Sequence, residues 1–549
     1  GTKNEFYTVN LFSDYSRQLG DHYFKVMGGF NAEHQNVRTL SAQRDGIIVP
    51  DLPTIDTSTE QDVAGGGYNH WATAGFFGRL NYNYKEKYLL EVNGRYDGTS
   101  RFMKDQRWNF FPSFSLGWNV ARENFWKPLE SVVNQFKLRG SWGELGNQNT
   151  SNLYPFYEIL PVKSNSGNWL VNGGKTNTAD IPSLVSTLLT WERVRSFNVG
   201  FDFGAFSNRL TGSFDYFVRK TVDMVGPAPQ LPLVLGIAPA IVNNADMKSY
   251  GFEIELSWRD RIGEVDYGVK FNLADAQQKV VKYPNTTNAF SDWYAGKMSG
   301  EIWGYTSLGI AKTDEEMKEH LASLPNGGQN QLGNKWGAGD IMYADINGDG
   351  KVDGGKGTLA DPGDQRIIGN STPRYNFGLV LDASYKGFDV SIFFQGVGKR
   401  DYAPIVGTNG AVFWGAVNNI WQSMAMEEHF DYFRPEGHPM GANLNGYYPR
   451  PDFTSNKNHQ VQTRYLQDAS YIRLKNLQIG YTLPKQWINK LHINRCRVYV
   501  SGDNLWTGTS LASMFDPETL AAGDWGSGKT YPLSKVCLLY TSPSPRDYA

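Results

Sequence analysis

Apolar and polar residues alternate one by one along much of the chain. Phe76, Leu80 and Tyr84 fall on one side of this alternation, whereas Arg79 and Asn81 fall on the other. Successive side chains of a β-strand point to opposite faces of a sheet, so strict alternation is typical of a strand with one apolar face. The pattern therefore predicts a chain built from strands rather than helices.

This period of two returns often enough to predict about fifteen strands. Many of the apolar faces begin and end with Tyr, Phe or Trp, as expected for aromatic girdles at two lipid interfaces. A soluble β-sandwich would show the same alternation, so the alternation alone does not separate the two folds. The predicted strands lie near residues 5–17, 22–37, 72–84, 88–99, 110–122, 136–146, 191–203, 209–220, 248–258, 265–277, 374–385, 388–396, 470–483, 495–506 and from 531.

The lengths of the connections favour one of these two folds. Short links such as Lys85–Lys87 and Lys386–Gly387 take turns with long segments such as Lys279–Pro373 and Val397–Ala469. An outer-membrane β-barrel has short periplasmic turns and long outer loops, whereas a sandwich has no reason to sort its connections in this way. The sequence predicts an all-β fold, a transmembrane antiparallel β-barrel, in which residues 279–373 and 397–469 are long extracellular loops.

The odd number of predicted strands indicates a partial barrel. Bacterial barrels of one chain close with an even number of strands. The chain opens at Gly1-Thr2-Lys3 inside a strand-like segment, without an initiator Met or a signal peptide. We therefore expect this chain to be a fragment that lacks an odd number of earlier strands.

Composition excludes several other classes of protein. The chain has 549 residues, a formal net charge of −2 and a mean hydropathy of −0.47, and no apolar run is long enough for a membrane-spanning helix. No basic run points to nucleic acid as a partner. Cys496 and Cys537 are too few and too far apart for a disulfide framework or a zinc module.

No catalytic motif stands out, so the sequence predicts a protein that is not an enzyme. The eight histidines form no metalloprotease pair, and we find neither a phosphate-binding loop nor a nucleophile elbow. We interpret His429, His438 and His459 as surface polar groups of one long loop. Glu253 and Glu255 share a strand face, which is the spacing of a polar lumen wall and does not indicate glycosidase chemistry.

Residues 345–353 match the first nine positions of an EF-hand-type calcium loop. Oxygen side chains at the first, third, fifth and ninth positions, with Gly350 at the sixth, let a chain curl around a hard cation. Lys356 stands where a glutamate is expected, and Asp361 or Asp364 could replace it. The alternative is an Asx-rich turn without metal. The candidate residues for a structural Ca²⁺ are Asp345, Asn347, Asp349, Lys351 and Asp353; no other cofactor is required.

Aromatic residues in the long outer segments are candidates for substrate binding. Aromatic rings stack on sugar faces and favour recognition surfaces. The alternative is that the loops pack on their own aromatic residues or on a partner. Polar residues of the inward face, such as Arg79, Arg95 and Glu253, could line a substrate path or pair with each other. The candidate binding residues are Trp293, Tyr294, Trp303, Trp414 and Trp421.

Several longer stretches resemble one family, the SusC-like TonB-dependent transporters of Gram-negative outer membranes. Their order and spacing agree with that family across nearly the whole chain. They read LRGSWGELGNQ at 138–148, DINGDG at 345–350, RIIGN at 366–370, RLKNLQIGYTLP at 473–484 and YPLSK at 531–535.

The resemblance implies that residues 1–536 are the C-terminal part of a larger barrel. Family members place a plug domain and a TonB-contacting peptide ahead of 22 strands, so the chain would hold the eighth to twenty-second strands with the plug domain absent. The resemblance also implies localisation in outer-membrane lipid and contact with TonB–ExbB–ExbD through the missing N-terminal region.

The implied function is import of a bulky nutrient together with a SusD-like surface lipoprotein. Glycans are the usual cargo of the family, and oligopeptides are the alternative. A second alternative is a secreted β-rich protein that binds or hydrolyses carbohydrate.

The C-terminus departs from the family pattern. Members end the last strand with alternating apolar residues, whereas Cys537-Leu538-Leu539-Tyr540 leads here into a segment with two prolines. This string resembles the translation of a transposase-type sequencing adapter. We therefore hypothesise that residues 537–549 are a non-native tail.

Overall fold

Fifteen strands form one continuous antiparallel sheet within the described part of the chain, each beside its neighbour in sequence. The computed structural model describes residues 1–51, 54–60, 62–150, 152–227, 234, 236–237, 240–404, 413–414, 426–452, 457–488, 493–520 and 538–540. The strands are β1 (Thr2–Leu19), β2 (His22–Arg44), β3 (Asp62–Tyr84), β4 (Tyr88–Thr99), β5 (Trp108–Asn119), β6 (Val133–Asn147), β7 (Glu192–Ala205), β8 (Leu210–Gly226), β9 (Val242–Ile262), β10 (Val265–Lys282), β11 (Arg374–Tyr385), β12 (Phe388–Lys399), β13 (Tyr471–Thr482), β14 (Arg497–Thr509) and β15 (Leu538–Tyr540).

Strands β1 to β14 lie where the alternation predicts them, but several extend further outward. The strand predicted at 22–37 ends at Arg44, and the one predicted from residue 248 begins at Val242. Alternation marks only the part of a strand with an apolar face, whereas backbone pairing continues into polar sequence. The last strand is predicted from residue 531; residues 531–537 lie outside the described residues, and β15 pairs Tyr540 with Ser501 of β14.

Most connections alternate between short and long, as the sequence predicts. At one end of the strands the links are residues 20–21, 85–87, 206–209, 263–264 and 386–387, together with two longer ones, 120–132 and 483–496. Lys386 and Gly387 have φ values of 46° and 93°, the left-handed pair that a two-residue hairpin needs to match the strand twist. The long connections, among them 148–191, 283–373 and 400–470, leave from the opposite ends of the strands. We call these ends the outer edge of the sheet.

The two faces of the sheet differ in chemistry. Leu256 on β9 and Phe197 on β7 belong to the apolar face, and they are 38% and 48% exposed. Glu253 and Glu255 of β9 lie on the opposite face and are also exposed. Among the described residues the other sheets are two-stranded, so no second layer covers the apolar face and the sandwich alternative is wrong. We call this sheet the wall.

The long connections carry their own short elements. Helix α1 (Asp314–Ala322) begins after Thr313, whose side chain accepts a hydrogen bond from the Glu316 N–H. A short helix α2 (Lys485–Ile488) lies between β13 and β14. No helix in the described residues is long and apolar enough to cross a membrane. The remaining short strands are Val162–Lys163, Leu170–Val171, Gly174–Lys175, Thr178–Ala179, Glu301–Gly304, Ser307–Ile310, Ile341–Tyr343, Arg366–Asn370, Asp401–Tyr402 and Gln467–Asp468, and the 3₁₀ turns are Ile55–Thr57, Lys104–Gln106, Val120–Arg122, Asn124–Leu129, Glu427–Phe430 and Thr463–Tyr465.

Candidate functional site

Three connections far apart in sequence pack into one body on the outer edge of the wall. We call it the outer body, defined as the described residues within 283–373, 400–470 and 510–520. Its core holds Tyr343, Trp414, Tyr465 and Phe515, each less than a tenth exposed. The ring centroid of Trp414 lies 4.5 Å from that of Tyr465. The long loops therefore form a packed unit with a hydrophobic core, as a soluble domain does.

A buried carboxylate links two of these connections. Asp340 is fully buried, and its Oδ1 accepts from Arg450 Nε at 2.7 Å. Its Oδ2 accepts from Lys457 Nζ at 2.8 Å, and Asn458 Nδ2 donates to Oδ1 at 2.9 Å. A buried charge is tolerated only when it is paired and hydrogen-bonded, as Asp340 is here. The cluster holds residues 283–373 and 400–470 in one arrangement.

Backbone hydrogen bonds reinforce the same junction. Tyr305 N–H donates to the carbonyl of Val461 at 2.8 Å, and Thr463 N–H donates to the carbonyl of Tyr305 at 3.0 Å. The Tyr343 hydroxyl donates to the carbonyl of Lys457 at 2.6 Å. Residues 457–463 therefore complete the core on one side.

Two arginines fasten residues 510–520 to the wall. Arg473 of β13 is 4% exposed, donates to Asp516 Oδ1 at 2.7 Å and also pairs with Glu518. Arg400, directly after β12, donates to the carbonyl of Leu520 at 2.8 Å. The outer body is thus connected to the last strands of the wall by charge-assisted bonds.

His459 lies inside the outer body, so its interpretation as a surface group is wrong. It is 2% exposed, and its ring centroid lies 4.4 Å from that of Trp414. Burial lowers the pKa of His459 to about 4, which keeps the imidazole neutral at pH 7. Aromatic packing from distant residues buries it, and nothing in the local sequence indicates this. His429 is half-buried, and its Nε2 donates to the carbonyl of Phe413 at 2.9 Å.

The calcium-like residues form a turn whose side-chain oxygens accept hydrogen bonds from the backbone. Asp345 accepts from the N–H groups of Gly348 and Gly350 at 2.6 and 2.8 Å, and Asn347 accepts from Asp349 N–H at 2.9 Å. The Asx-turn alternative accounts for these bonds. Among the described residues no group of three or more His, Cys, Asp or Glu side chains converges on a common point.

Two further contacts close this turn. The Lys351 ammonium lies 2.5 Å from Asp353 Oδ2 and holds the pKa of that carboxyl below its ordinary value. Asp364 is fully buried and accepts from the N–H groups of Ile346 at 2.7 Å and Asp353 at 2.8 Å. Asp364 therefore reaches the turn, as the sequence allowed, and calcium binding stays a prediction.

The aromatic candidates divide into exposed and buried residues. Trp293 is 40% exposed, and the Lys297 ammonium lies 5.7 Å from its ring centroid. Tyr294 donates to Glu301 Oε2 at 2.6 Å, and burial together with this carboxylate raises the pKa of its hydroxyl to about 12. Of these two rings, Trp293 is the more accessible to a ligand.

The other aromatic candidates are less accessible. Trp303 stacks on Phe290 with ring centroids 4.6 Å apart. Trp414 is 1% exposed, so it cannot present its ring to a ligand in this conformation, and loop self-packing describes it better. Trp421 lies outside the described residues.

Polar residues of the inward face mostly pair with each other. Arg139 bridges Asp202 and Asp215, with both Nη2–O distances at 2.8 Å. Arg79 Nε donates to Asn93 Oδ1 at 2.6 Å, and Arg95 pairs with Asp97 at 2.9 Å.

Glu253 and Glu255 differ from these paired residues. Neither makes an ion pair with another residue that the structure describes, and both are exposed toward the lumen side. They are thus two carboxylates of this face that are open to a ligand or to another domain.

Sequence reasoning missed the cluster around Asp340. Arg450 and Asp340 are 110 positions apart, and no local motif surrounds either residue. An aspartate, an arginine and a lysine in loops are ordinarily solvated, so only their distant pairing singles them out.

The fold and its two faces define a class of protein, a transmembrane β-barrel wall of an outer membrane. Comparison with protein families identifies it further. The family "TonB dependent receptor-like, beta-barrel" matches residues 1–505, and the chain belongs to this family. Its members are outer-membrane transport proteins rather than enzymes. The predicted localisation and the resemblance to SusC-like transporters are confirmed. The alternative prediction of a secreted carbohydrate-active protein is not confirmed.

Curated relatives cover nearly the whole chain at low identity. TonB-dependent receptor P3 of Formosa agariphila is 28% identical over 542 residues, which are 93% of this chain and 49% of that protein. TonB-dependent receptor SusC of Bacteroides thetaiotaomicron is 24% identical over 548 residues, which are 97% of this chain and 49% of SusC. This chain therefore spans about half the length of the curated relatives it matches.

A solved structure shares the fold. The structure of the RagAB peptide transporter superposes with a TM-score of 0.73 at 20% identity, covering 94% of this chain and 53% of that one.

Proposed function

We propose that residues 1–536 form the C-terminal part of a 22-stranded barrel, with β1 to β14 as its eighth to twenty-first strands and with the plug domain in a part of the protein that precedes them. Two observations support this. The chain aligns with about half of each relative. Within the described residues, β1 has a neighbour on one side only, so an edge is left for earlier strands.

We infer that the whole protein imports a bulky nutrient across the outer membrane, driven by TonB. One observation carries this function: a single sheet has an apolar outward face and a polar inward face, and a packed body stands at its outer edge. A wall with this polarity encloses a wet lumen in lipid. A glycan is the favoured cargo, because exposed Trp293 suits stacking on a sugar.

An oligopeptide is the second candidate cargo. The solved RagAB structure that shares this fold is described as a peptide transporter. The outer body contains exposed Trp293, and a planar ring packs on apolar peptide side chains as well as on sugars.

The proposed partners follow from the same family. A SusD-like surface lipoprotein would cover the outer edge of the barrel, where the outer body stands. TonB–ExbB–ExbD would act through the preceding region. Outer-membrane lipid surrounds the wall.

Uptake by the full-length receptor tests this function. We would express it with its SusD-like neighbour in a strain lacking related receptors and measure accumulation of labelled oligosaccharides and labelled oligopeptides. Accumulation of oligosaccharide that is lost in a matched strain without TonB is expected. Preferential accumulation of oligopeptide would establish the second cargo. An assembled receptor whose uptake ignores TonB would refute the proposal.

We also propose that residues from Cys537 onward are not native. The short strand β15 lies within this segment, so the wall pairs Leu538–Tyr540 where a native closing strand would lie. Resequencing of the locus across the Val536 codon tests the proposal. The same string in intact genomic DNA would overturn it.

A further inference from the structure

Four neighbouring strands carry a row of cationic side chains near their outer ends. Arg195 of β7 pairs in register with Lys220 of β8. Lys220 is opposite Lys248 of β9, and Lys248 is opposite Lys279 of β10. Four cations from four successive strands therefore stand side by side straight across the wall. We call them the cationic row.

The cationic row lies on the outward face of the wall. Lys248 has the same parity along β9 as Phe252 and Leu256, which belong to the apolar face. The Lys248 ammonium lies 5.1 Å from the ring centroid of Tyr250, on that same face. The carboxylate of Glu253 points to the other side. The row thus continues the lipid-facing surface at its outer end.

The position of the row along the strands matches the outer lipid interface. Lys220 follows Leu210, the first residue of β8 after a short turn, by ten positions. A rise of about 3.3 Å per residue and a tilt of about 40° place Lys220 roughly 25 Å above that turn. This is about the height of the apolar band of such barrels. Lys279 lies further along β10, so the row rises from the interface outward.

Within the described residues the charge of the row is only partly neutralised. Arg195 donates to Glu144 Oε2 at 2.7 Å. Lys220, Lys248 and Lys279 form no ion pair with any residue that the structure describes. Like charges directly opposite each other on neighbouring strands repel. An anion from outside the chain would relieve this repulsion.

The other carboxylates at this rim already have partners. Asp223 pairs with Arg193 at 2.8 Å. Asp246 accepts from Asp223 N–H at 3.0 Å and stands opposite Lys282, one step beyond the row. Strand pairing is regular up to the row, and the bulges begin just outside it. The three lysines are therefore held in register, while the anionic residues nearby are engaged elsewhere.

We propose that the cationic row binds the phosphate groups of anionic lipid headgroups in the outer leaflet. Three observations favour lipid over a soluble anion: the row continues the apolar face, it starts at interface height with Lys220, and it spans four strands about 4.8 Å apart, which suits adjacent headgroups. Basic residues at such a height are attracted to anionic headgroups. The proposal depends on the outer-membrane location and not on the cargo.

Binding of lipid A to the full-length receptor in detergent tests the proposal. The probe is lipid A carrying both phosphates, compared with the same lipid A after removal of its phosphates. The variant K220Q/K248Q/K279Q should bind phosphorylated lipid A roughly a hundredfold more weakly than the unaltered receptor. The matched control K25Q/K137Q/K270Q removes three lysines from the inward face and should change binding less than about twofold.

Two further measurements protect the test against misfolding. Heat-shifted gel mobility reports whether each variant has a closed barrel. In the unaltered receptor, the preference for phosphorylated over dephosphorylated lipid A should shrink as salt rises, because screening weakens exposed charge interactions. Equal loss in the outward and inward variants, or no preference for phosphorylated lipid A in the unaltered receptor, would overturn the proposal.

Discussion

The wall exposes its apolar side chains on its outward surface, whereas the outer body buries its apolar side chains in a core. Leu256 and Phe197 of the wall are 38% and 48% exposed, whereas Trp414 and Tyr343 of the outer body are 1% and 0% exposed. The wall meets lipid, which is as apolar as these side chains, and the outer body meets water. In both regions the apolar side chains avoid water. In the wall they face lipid, and in the outer body they are buried inside the packed unit.

Charged residues differ in the same way. In the wall, Arg139 and its partners Asp202 and Asp215 remain partly exposed to the lumen. In the outer body, Asp340 and Lys457 lie almost fully out of water. Solvent screening weakens the first kind of ion pair, while the second kind costs much free energy if one partner is lost. Substitutions should therefore affect the two regions very differently.

The largest effect is expected for Asp340→Asn. The substitution removes the charge that compensates Arg450 and Lys457, and breaking a buried pair costs about 3–5 kcal/mol. The outer body of the full-length receptor should become sensitive to proteases while the wall keeps its heat-shifted gel mobility. Asp292→Asn, at an exposed position of the same connection, is the matched control and should change little. An intact outer body in Asp340→Asn would contradict this account of the cluster.

A substitution pair on β9 tests the polarity of the wall. Leu256→Arg puts a charge toward lipid and should cost about 2–4 kcal/mol of unfolding free energy. Glu255→Arg, one residue away on the inward face, should cost less than about 1 kcal/mol, since that face is wet. Denaturant unfolding of the full-length receptor in lipid vesicles measures both. Equal effects would mean that the two faces meet the same solvent.

The pH dependence of the outer body sharpens the comparison further. The unfolded pKa of His459 is about 6.5 and the folded pKa is about 4, so the unfolded chain binds more protons between these values. The stability of the outer body should be complete above pH 6.5 and fall by about 2–3 kcal/mol as the pH drops toward 4. Urea unfolding followed by tryptophan fluorescence at pH 7.5 and pH 5 measures this loss. His459→Phe should remove most of the difference in unfolding free energy between the two pH values. If the difference is unchanged in this variant, other titratable groups cause it.

A smaller effect is expected for Trp293→Ala. The exposed ring contributes little to folding, but its loss should weaken cargo binding by about 1–2 kcal/mol, or roughly tenfold. Equilibrium binding of the cargo identified by uptake measures the change. Leu308→Ala removes another exposed apolar side chain of the outer body and serves as the control. Binding that is equally weak in both variants, or unaffected in Trp293→Ala, would remove Trp293 from the binding surface.

The smallest effect concerns calcium at residues 345–353. Bound calcium should stabilise the turn on the order of 1 kcal/mol and slow proteolysis within 283–373. Asp349→Ala should abolish this response, while the stability of the wall stays constant. Proteolysis with calcium, with magnesium and with a chelator measures it. Equal cleavage in all three conditions would leave the Asx turn as the whole explanation.

The sequence alone was sufficient to predict the wall. Alternation of single residues, such as Leu256 beside Glu255, depends only on neighbours along a strand, and sheet geometry converts it directly into two faces. The alternating connection lengths then indicated which edge faces outward. For residues 345–353 the sequence offered a calcium loop with an Asx-rich turn as the alternative, and the turn could be anticipated because Asx spacing acts locally.

Only the tertiary structure decided the outer body and the cationic row. The burial of His459 and Trp414 and the pairing of Asp340 with Arg450 depend on contacts between residues far apart in sequence, which no local periodicity records. Lys220, Lys248 and Lys279 each read as an ordinary exposed lysine until the register of two strand pairs aligns them. Periodicity determines which face a side chain takes, and register and long-range packing determine which side chains become its neighbours.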